Sequence, residues 1–216
     1  MSAHIIGPRP WHGWRRPATA AAAALTLLSG VVLMGVATPA TAHEIATDLV
    51  VTEAAAYWAA DMMWKWDQYM GGGHTTKKMA ALLKGKISKL PSDYFGENIF
   101  IGASTMSKEE IRRRHVLGCD VVMWGTDYPH PEGTWPHTQE RLRGDFGGIP
   151  VEDARKLLGE TAARCYDFDL DALRPTADRI GPTPQDLGQD PALRTDPEEV
   201  RTARWWKDEY QVQAPG

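Results

Sequence analysis

Cysteine is scarce in this chain, and that scarcity excludes a disulfide-built scaffold. The 216 residues include two cysteines, Cys119 and Cys165, without C-x-x-C spacing. Small secreted domains that depend on disulfides use several of them, so one pair at this distance does not fit that class. We expect Cys119 and Cys165 to be buried free thiols.

A basic excess is also missing, as is any internal repeat. Lys and Arg together number 24 against 28 Asp and Glu, which gives a formal net charge of -4. This balance leaves no electrostatic footprint for nucleic acid, so we expect no nucleic-acid partner. The content of 43% hydrophobic and 24% charged residues is that of a globular domain. Nine Trp indicate a large aromatic core or an aromatic-lined pocket.

The N-terminal segment, residues 1–47, has two readings. Arg15 and Arg16 precede an apolar stretch from Ala18 to Ala37, and Ala40 to Ala42 has the small-residue pattern of a cleavage site. This order is typical of a secretory signal peptide ending near Ala42, and an apolar run of this length could also insert in a membrane. The alternative is an Ala-rich helix from Ala18 to Val32 that belongs to a domain.

Beyond residue 47, apolar runs alternate with helical patterns, which predicts an α/β fold with a parallel sheet. A helix is predicted from Ala54 to Met70, with Trp58, Met62 and Trp66 on its apolar face. Ser107 and Glu110 form a capping box that predicts another helix start. The predicted strands are Asp48–Glu53, Asn98–Gly102 and Asp120–Gly125, and two more helices are predicted at His137–Arg143 and Val151–Cys165. Residues 174–216 read as an irregular tail.

Asp127 directly follows the last predicted strand and is the strongest candidate for chemistry. In parallel α/β folds the carboxyl ends of the strands face the active-site crevice. A carboxylate at that position can bind a divalent metal or accept a proton. The alternative is that Asp127 begins a turn and caps the next segment. His130 and His137 lie in the same loop, as substrate contacts or as solvent-facing residues.

The segment from Val122 to His130 resembles the eighth-strand signature of the amidohydrolase-related family, which includes aminocarboxymuconate semialdehyde decarboxylase and the resorcylate-type decarboxylases. The segment Leu90–Phe95 resembles the region before the family's seventh strand, and Ala154–Arg164 resembles its closing helix. The segment Val50–Glu53 resembles the sixth strand of members that end it in Thr-Glu. The resemblance runs from about Asp48 to Asp169.

This resemblance implies an incomplete TIM-like (β/α)8 barrel, with about the last four β/α units on this chain. It also implies a divalent metal, zinc in many members, held at the strand ends. Asp127 then stands as a metal ligand and catalytic proton acceptor, and His4 stands where a fifth-strand metal ligand belongs. Glu53 and His130 stand as substrate-binding residues. The implied reaction is metal-dependent hydrolysis, or decarboxylation, of a small organic acid, amide or lactone.

The chain departs from the family pattern in its metal ligands. It contains no His-x-His, the motif that the family carries on its first strand. The stretch from Trp11 to Val31 resembles the family's fifth helix, and the similarity is lost between Val32 and Thr47. We therefore expect a cytoplasmic protein encoded by a truncated or frameshifted gene, with half-barrel 48–173 and tail 174–216. Homo-oligomerisation would cover its open sheet, and the alternatives are an inactive barrel fragment or an exported binding domain.

Overall fold

The structure is a computed structural model of the chain, and it describes residues 2–5, 49–52, 55–70, 87 and 89–209. Four strands form one sheet in the order β1-β2-β3-β4. Their bounds are β1 Ser2–Ile5, β2 Leu49–Thr52, β3 Ile99–Ser104 and β4 Val122–Gly125. Strands β2, β3 and β4 are parallel, as predicted for strands separated by helical connections.

Nine helices accompany the sheet within the described ranges. They are α1 Tyr57–Met70, α2 Lys108–Arg112, α3 Arg114–Leu117, α4 Thr138–Phe146, α5 Val151–Arg155, α6 Thr161–Tyr166, α7 Leu170–Ile180, α8 Pro197–Ala203 and α9 Trp206–Glu209. A 3-10 turn spans Pro91–Tyr94, and a π turn, Lys156–Glu160, joins α5 to α6. Residues 151–166 are thus one continuous helical segment, as predicted.

Strand β1 differs from the expectation of a parallel sheet, because it pairs antiparallel with β2. His4 lies opposite Val50 in this register. The outer edge of a sheet offers donors and acceptors that a strand of either direction can satisfy, and the sequence of β1 does not specify the direction. The arrangement is an α/β sheet with three parallel strands, consistent with part of a barrel.

The two faces of the sheet bury different side chains, because successive residues of a strand point to opposite faces. Ile99 and Ile101 of β3 join the main core, whereas Phe100 packs with Met123 on the other face. The helical segment 151–166 contributes to both clusters, through Leu157 on the first and Cys165 on the second. This segment therefore lies beside β4, the last strand of the sheet, and covers parts of both faces.

Helix α1 buries a different face from the predicted one. Ala59, Ala60 and Met63 are almost fully buried, whereas Trp58 and Trp66 are half-buried at the edge of the core. Alanine lets a helix approach the sheet closely, and the larger indoles then pack around the contact. The spacing of apolar residues predicted the helix correctly but did not predict which side of it faces the core.

One buried carboxylate, that of Glu110, connects the starts of two helices. It completes the predicted capping box with Ser107 at the start of α2, accepting from the Ser107 backbone N–H at 2.8 Å. Its other oxygen accepts from the backbone N–H groups of Ala56, at 2.5 Å, and Tyr57, at 3.1 Å. Donors at the start of α1 are thereby satisfied by a residue 53 or 54 positions away in the sequence.

The C-terminal tail, predicted to be irregular, contains helices and returns to the body of the protein. Trp206 is 3% exposed, and its Nε1 donates to Asp67 Oδ2 on α1 at 2.9 Å. Arg204 donates to the backbone carbonyls of Val116 and Leu117, at 3.1 Å and 3.0 Å. These contacts bring the end of the described chain onto α1 and α3.

The remaining expectations about the fold concern the thiols and the N-terminus. Cys119 and Cys165 are both buried, and neither forms a disulfide within the described residues, which confirms that prediction. Within the part of the chain that the structure describes, no helix is long and apolar enough to cross a membrane. The signal-like stretch, the resemblance to a fifth helix and the cleavage pattern lie outside the described residues.

Candidate active site

The loop that follows β4 is folded tightly by its own backbone. Asp127 adopts a left-handed conformation with φ of 60°, which Asp tolerates better than most residues. Its carbonyl oxygen accepts from the backbone N–H of His130 at 2.9 Å. The N–H of Thr134 closes the loop by donating to the carbonyl of Thr126 at 2.9 Å. Asp127 and His130 are therefore held on one side of a defined turn.

Gly133 is required by the close approach of backbone inside this loop. A Cβ at this position would lie 2.9 Å from the carbonyl oxygens of Asp127 and His130 and 3.0 Å from that of Thr126. These oxygens belong to the backbone and cannot rotate away as a side-chain end would. The absence of a side chain at Gly133 thus lets the loop close over the end of β4.

Three potential metal ligands meet in this turn. Asp127, His130 and Glu132 each offer a ligand atom, and these atoms lie within 4.8 Å of one another. Asp127 Oδ1 and His130 Nδ1 are 3.0 Å apart, with the Asp127 side chain 12% exposed and the His130 side chain 55% exposed. Carboxylate and imidazole donors suit zinc, and three protein ligands are the usual number in a catalytic zinc site. The donor set therefore fits a divalent metal at the carboxyl end of β4.

Two exposed aromatic rings flank these ligands. Tyr128 and Trp135 are 67% and 69% exposed, and their ring centroids lie 6.0 Å apart in an edge-to-face arrangement. Exposed rings beside polar groups provide apolar contact area for a ligand. The site can thus combine a polar, metal-binding centre with an apolar border.

The predicted site residues are only partly brought together. Asp127 and His130 are in contact, but His4 lies on β1, three strands from β4, which is on the order of 14 Å across the sheet. The side chain of His4 lies outside the part of the chain that the structure describes, so its role as a metal ligand stays a prediction. Glu53 lies outside the described residues. Its substrate-binding role stays a prediction as well.

Sequence reasoning did not single out Glu132 as a ligand. The residue stands in the same loop as His130, but sequence distance alone does not show that the chain turns back on itself there. The signal that could have found it is the combination of Asp, His and Glu within seven residues of the end of a strand, closed by Gly133. His137 ends the loop at the start of α4 and does not belong to the donor group that the structure describes.

Comparison with known proteins identifies the family. The Amidohydrolase family model matches residues 45–168, which is more than half of the chain. The match includes all three parallel strands, the Asp127 loop and the helical segment beside β4. No curated protein matches the chain. Members of this family usually bind divalent metals, in agreement with the ligands gathered after β4. The chain belongs to the amidohydrolase family.

Proposed function

We propose that the Asp127 loop is the metal-binding edge of a hydrolase active site for a small organic acid, amide or lactone. The observation that carries this proposal is the convergence of Asp127, His130 and Glu132 at the carboxyl end of β4. Function in parallel α/β folds is concentrated at this end of the strands. The metal is a divalent cation, with zinc the best match to one imidazole and two carboxylates.

Each residue of the loop has a distinct part in the proposed reaction. A divalent metal held by these residues supplies Lewis-acid polarisation of a carbonyl or carboxylate group. Asp127, partly shielded from water, accepts a proton from the attacking water. His130 hydrogen-bonds to Asp127 through Nδ1 and fixes the orientation of that carboxylate. Tyr128 and Trp135 contact the apolar part of the substrate.

Decarboxylation of an unsaturated or aromatic acid is the alternative reaction on the same scaffold, as in the decarboxylase branch that the sequence resembles. Hydrolysis and decarboxylation differ in which bond of the polarised substrate breaks, and the fold does not decide between them. An inactive barrel fragment is a further alternative. The end of β3 supports this alternative, because it offers no imidazole or carboxylate at Ser104, Thr105 or Met106. Within the described residues, all the candidate metal ligands at this end of the sheet therefore come from one loop.

The test compares Asp127→Asn with the matched control Asp167→Asn. Both aspartates have left-handed backbone, with φ of 60° and 57°, and Asn tolerates that conformation equally well. The full chain is loaded with Zn²⁺ and tested on a panel of esters, amides and lactones, and on aromatic acids with detection of CO2. We expect turnover to fall about a hundredfold or more in Asp127→Asn and to persist in Asp167→Asn.

Three results would overturn the proposal. If the wild-type chain, folded and supplied with metal, turns over no member of the panel, the inactive alternative holds. If Asp127→Asn retains wild-type turnover, the activity belongs to another site. Release of CO2 without hydrolysis would replace the hydrolase by the carboxy-lyase.

A further inference from the structure

Helix α7, Leu170–Ile180, lies on the surface of the protein with every residue exposed and none buried. Asp169 caps its start, because the carboxylate accepts from the backbone N–H groups of Asp171 and Ala172, both at 3.0 Å. Pro175 removes one backbone donor inside the helix. Helices shorter than about 12–15 residues are marginal in water by themselves. The 11 residues of α7 therefore need a tertiary contact that buries one side of the helix.

One side of α7 is apolar and suits such a contact. Leu170, Leu173, Ala177 and Ile180 recur at intervals of three or four residues and therefore share one face, called here the α7 face. Its three larger side chains are 46%, 48% and 65% exposed in chain order. Phe168, directly before the helix, is 53% exposed and extends the same apolar surface. A continuous apolar surface of this kind indicates a binding site for another molecule.

The charges of α7 do not favour a membrane surface as that partner. Asp171 and Asp178 balance Arg174 and Arg179, so the helix carries no net charge. Helices that lie on membranes are typically rich in Lys and Arg on their polar side, which attracts anionic lipids. The α7 face therefore suits a protein surface better than a lipid surface.

The two flanks of the α7 face differ in charge. Arg174 and Asp178, four residues apart, lie along one flank, and Ala172 and Thr176 lie along the other. When two copies of a helix pair antiparallel, each flank meets the same flank of the second copy, whereas parallel helices bring opposite flanks together. Antiparallel pairing thus places the charged flank against itself with the order of charges reversed. Parallel pairing would leave it against uncharged side chains.

We propose that α7 pairs antiparallel with α7 of a second copy of this chain, about a twofold axis at Pro175. In this register Leu170 faces Ile180 of the second copy, and Leu173 faces Ala177. Each contact thus combines side chains of the apolar face, and the small alanine leaves room for the leucine opposite it. The surface is self-complementary, as a twofold dimer requires.

The same register pairs the charges. Arg174 lies two residue levels from Asp178 of the second copy, about 3 Å along the axis at 1.5 Å per residue. The twofold axis repeats this contact, so the dimer contains it twice. The α7 face and Phe168 present roughly 500 Å² per copy, which is in the range of weak interfaces. We therefore expect a dissociation constant in the micromolar range.

The experiment is sedimentation velocity of the full chain at concentrations from about 1 to 300 μM. The wild type should convert from monomer to dimer as the concentration rises. Leu173→Asp should weaken dimerisation by about tenfold or more, because it buries a carboxylate in the apolar contact. The matched control Val200→Asp changes a side chain of α8 that is also 48% exposed, and it should dimerise like the wild type. Thermal unfolding of both variants verifies that the fold is kept.

Exchange of charges tests the antiparallel direction. Arg174→Glu should weaken dimerisation by about threefold or more, because the new carboxylate meets Asp178 of the second copy. Adding Asp178→Arg to this variant should restore dimerisation, since opposite charges face each other again. Equal weakening in the single and the double variant overturns the antiparallel register.

Two further results would overturn the dimer itself. One is a wild-type chain that stays monomeric over the whole range, and the other is a dimer that Leu173→Asp leaves unchanged. A monomer that instead sediments with vesicles of phosphatidylcholine and phosphatidylglycerol, and loses this binding in Leu173→Asp, assigns the α7 face to a membrane. Asp127→Asn should leave dimerisation unchanged, so the result is independent of the proposed hydrolase function.

Discussion

The contact between Trp206 and Asp67 allows a quantitative prediction for Trp206→Phe. The ring stays apolar and aromatic, but the Nε1–H donor to Asp67 Oδ2 is lost. Asp67 is fully buried and keeps the hydrogen bond from Ser92 N at 2.9 Å. A hydrogen bond to a charged acceptor contributes about 1.5–3 kcal/mol, so we expect the free energy of unfolding to fall by that amount at pH 7.

The pH dependence of this loss follows from the ionisation of Asp67. Burial raises the pKa of Asp67 above 3.8, and the bond from Trp206 is among the contacts that oppose the rise. The folded protein therefore binds more protons than the unfolded chain between 3.8 and the raised pKa, and stability falls as pH increases through this window. Trp206→Phe extends that window upwards. The loss should shrink to about 1 kcal/mol near pH 4, where the carboxyl is increasingly protonated.

The assay is urea unfolding followed by far-UV circular dichroism, at pH 7 and near pH 4. Trp205→Phe is the matched control, because Trp205 is 56% exposed and adjacent in the sequence. Its effect should stay within about 0.5 kcal/mol. Equal losses in the two variants at pH 7 would refute the reasoning, as would a loss in Trp206→Phe that does not change with pH.

Three further predictions concern single positions. Gly133→Ala should lower the free energy of unfolding by about 1–3 kcal/mol, because the added Cβ meets three backbone oxygens. The control Gly148→Ala, whose Cβ meets no atom within 4 Å, should leave it unchanged, and equal values for the two variants in thermal unfolding would contradict this. Glu110→Gln removes an acceptor for backbone donors at the start of α1 or α2, so the free energy of unfolding measured in urea should fall by about 1–3 kcal/mol. The control Glu109→Gln changes an exposed side chain and should leave this free energy unchanged. The two buried thiols should resist a thiol reagent at pH 8 until the chain unfolds, because they are shielded and burial raises the pKa of Cys119 to about 12. Rapid labelling of the native protein would contradict this expectation.

Local features of this fold could be read from the sequence because their causes are local. The capping box of Ser107 and Glu110 depends on residues three positions apart, and the structure confirms it. Asp127 was found because a strand followed by a polar loop is recognisable in one segment. The same holds for the helical segment 151–166, whose apolar period marks Leu157 as buried.

Features that depend on distant segments could not be predicted. The direction of β1 is set by the edge it meets, not by its four residues. Trp206 and Asp67 are 139 positions apart, and no sequence pattern links them. Arg114 on α3 contacts Asp153 on α5 and Glu199 on α8, and no sequence pattern links these three residues either. In each of these cases tertiary contact decides, and the sequence provides only side chains of the right type.

The position of the helical segment 151–166 also has a consequence for the order in which the protein can fold during synthesis. Strand β4 ends at Gly125, but Leu157 and Cys165, which cover parts of the two sheet faces, follow it by about 30–40 residues. At a synthesis rate of about 5–20 residues per second, several seconds pass between the synthesis of β4 and that of the residues that cover it. During this interval its apolar faces are exposed to other chains and to chaperones. A delay while residues 126–166 emerge from the ribosome should therefore increase aggregation of the nascent protein more than a later delay of equal length.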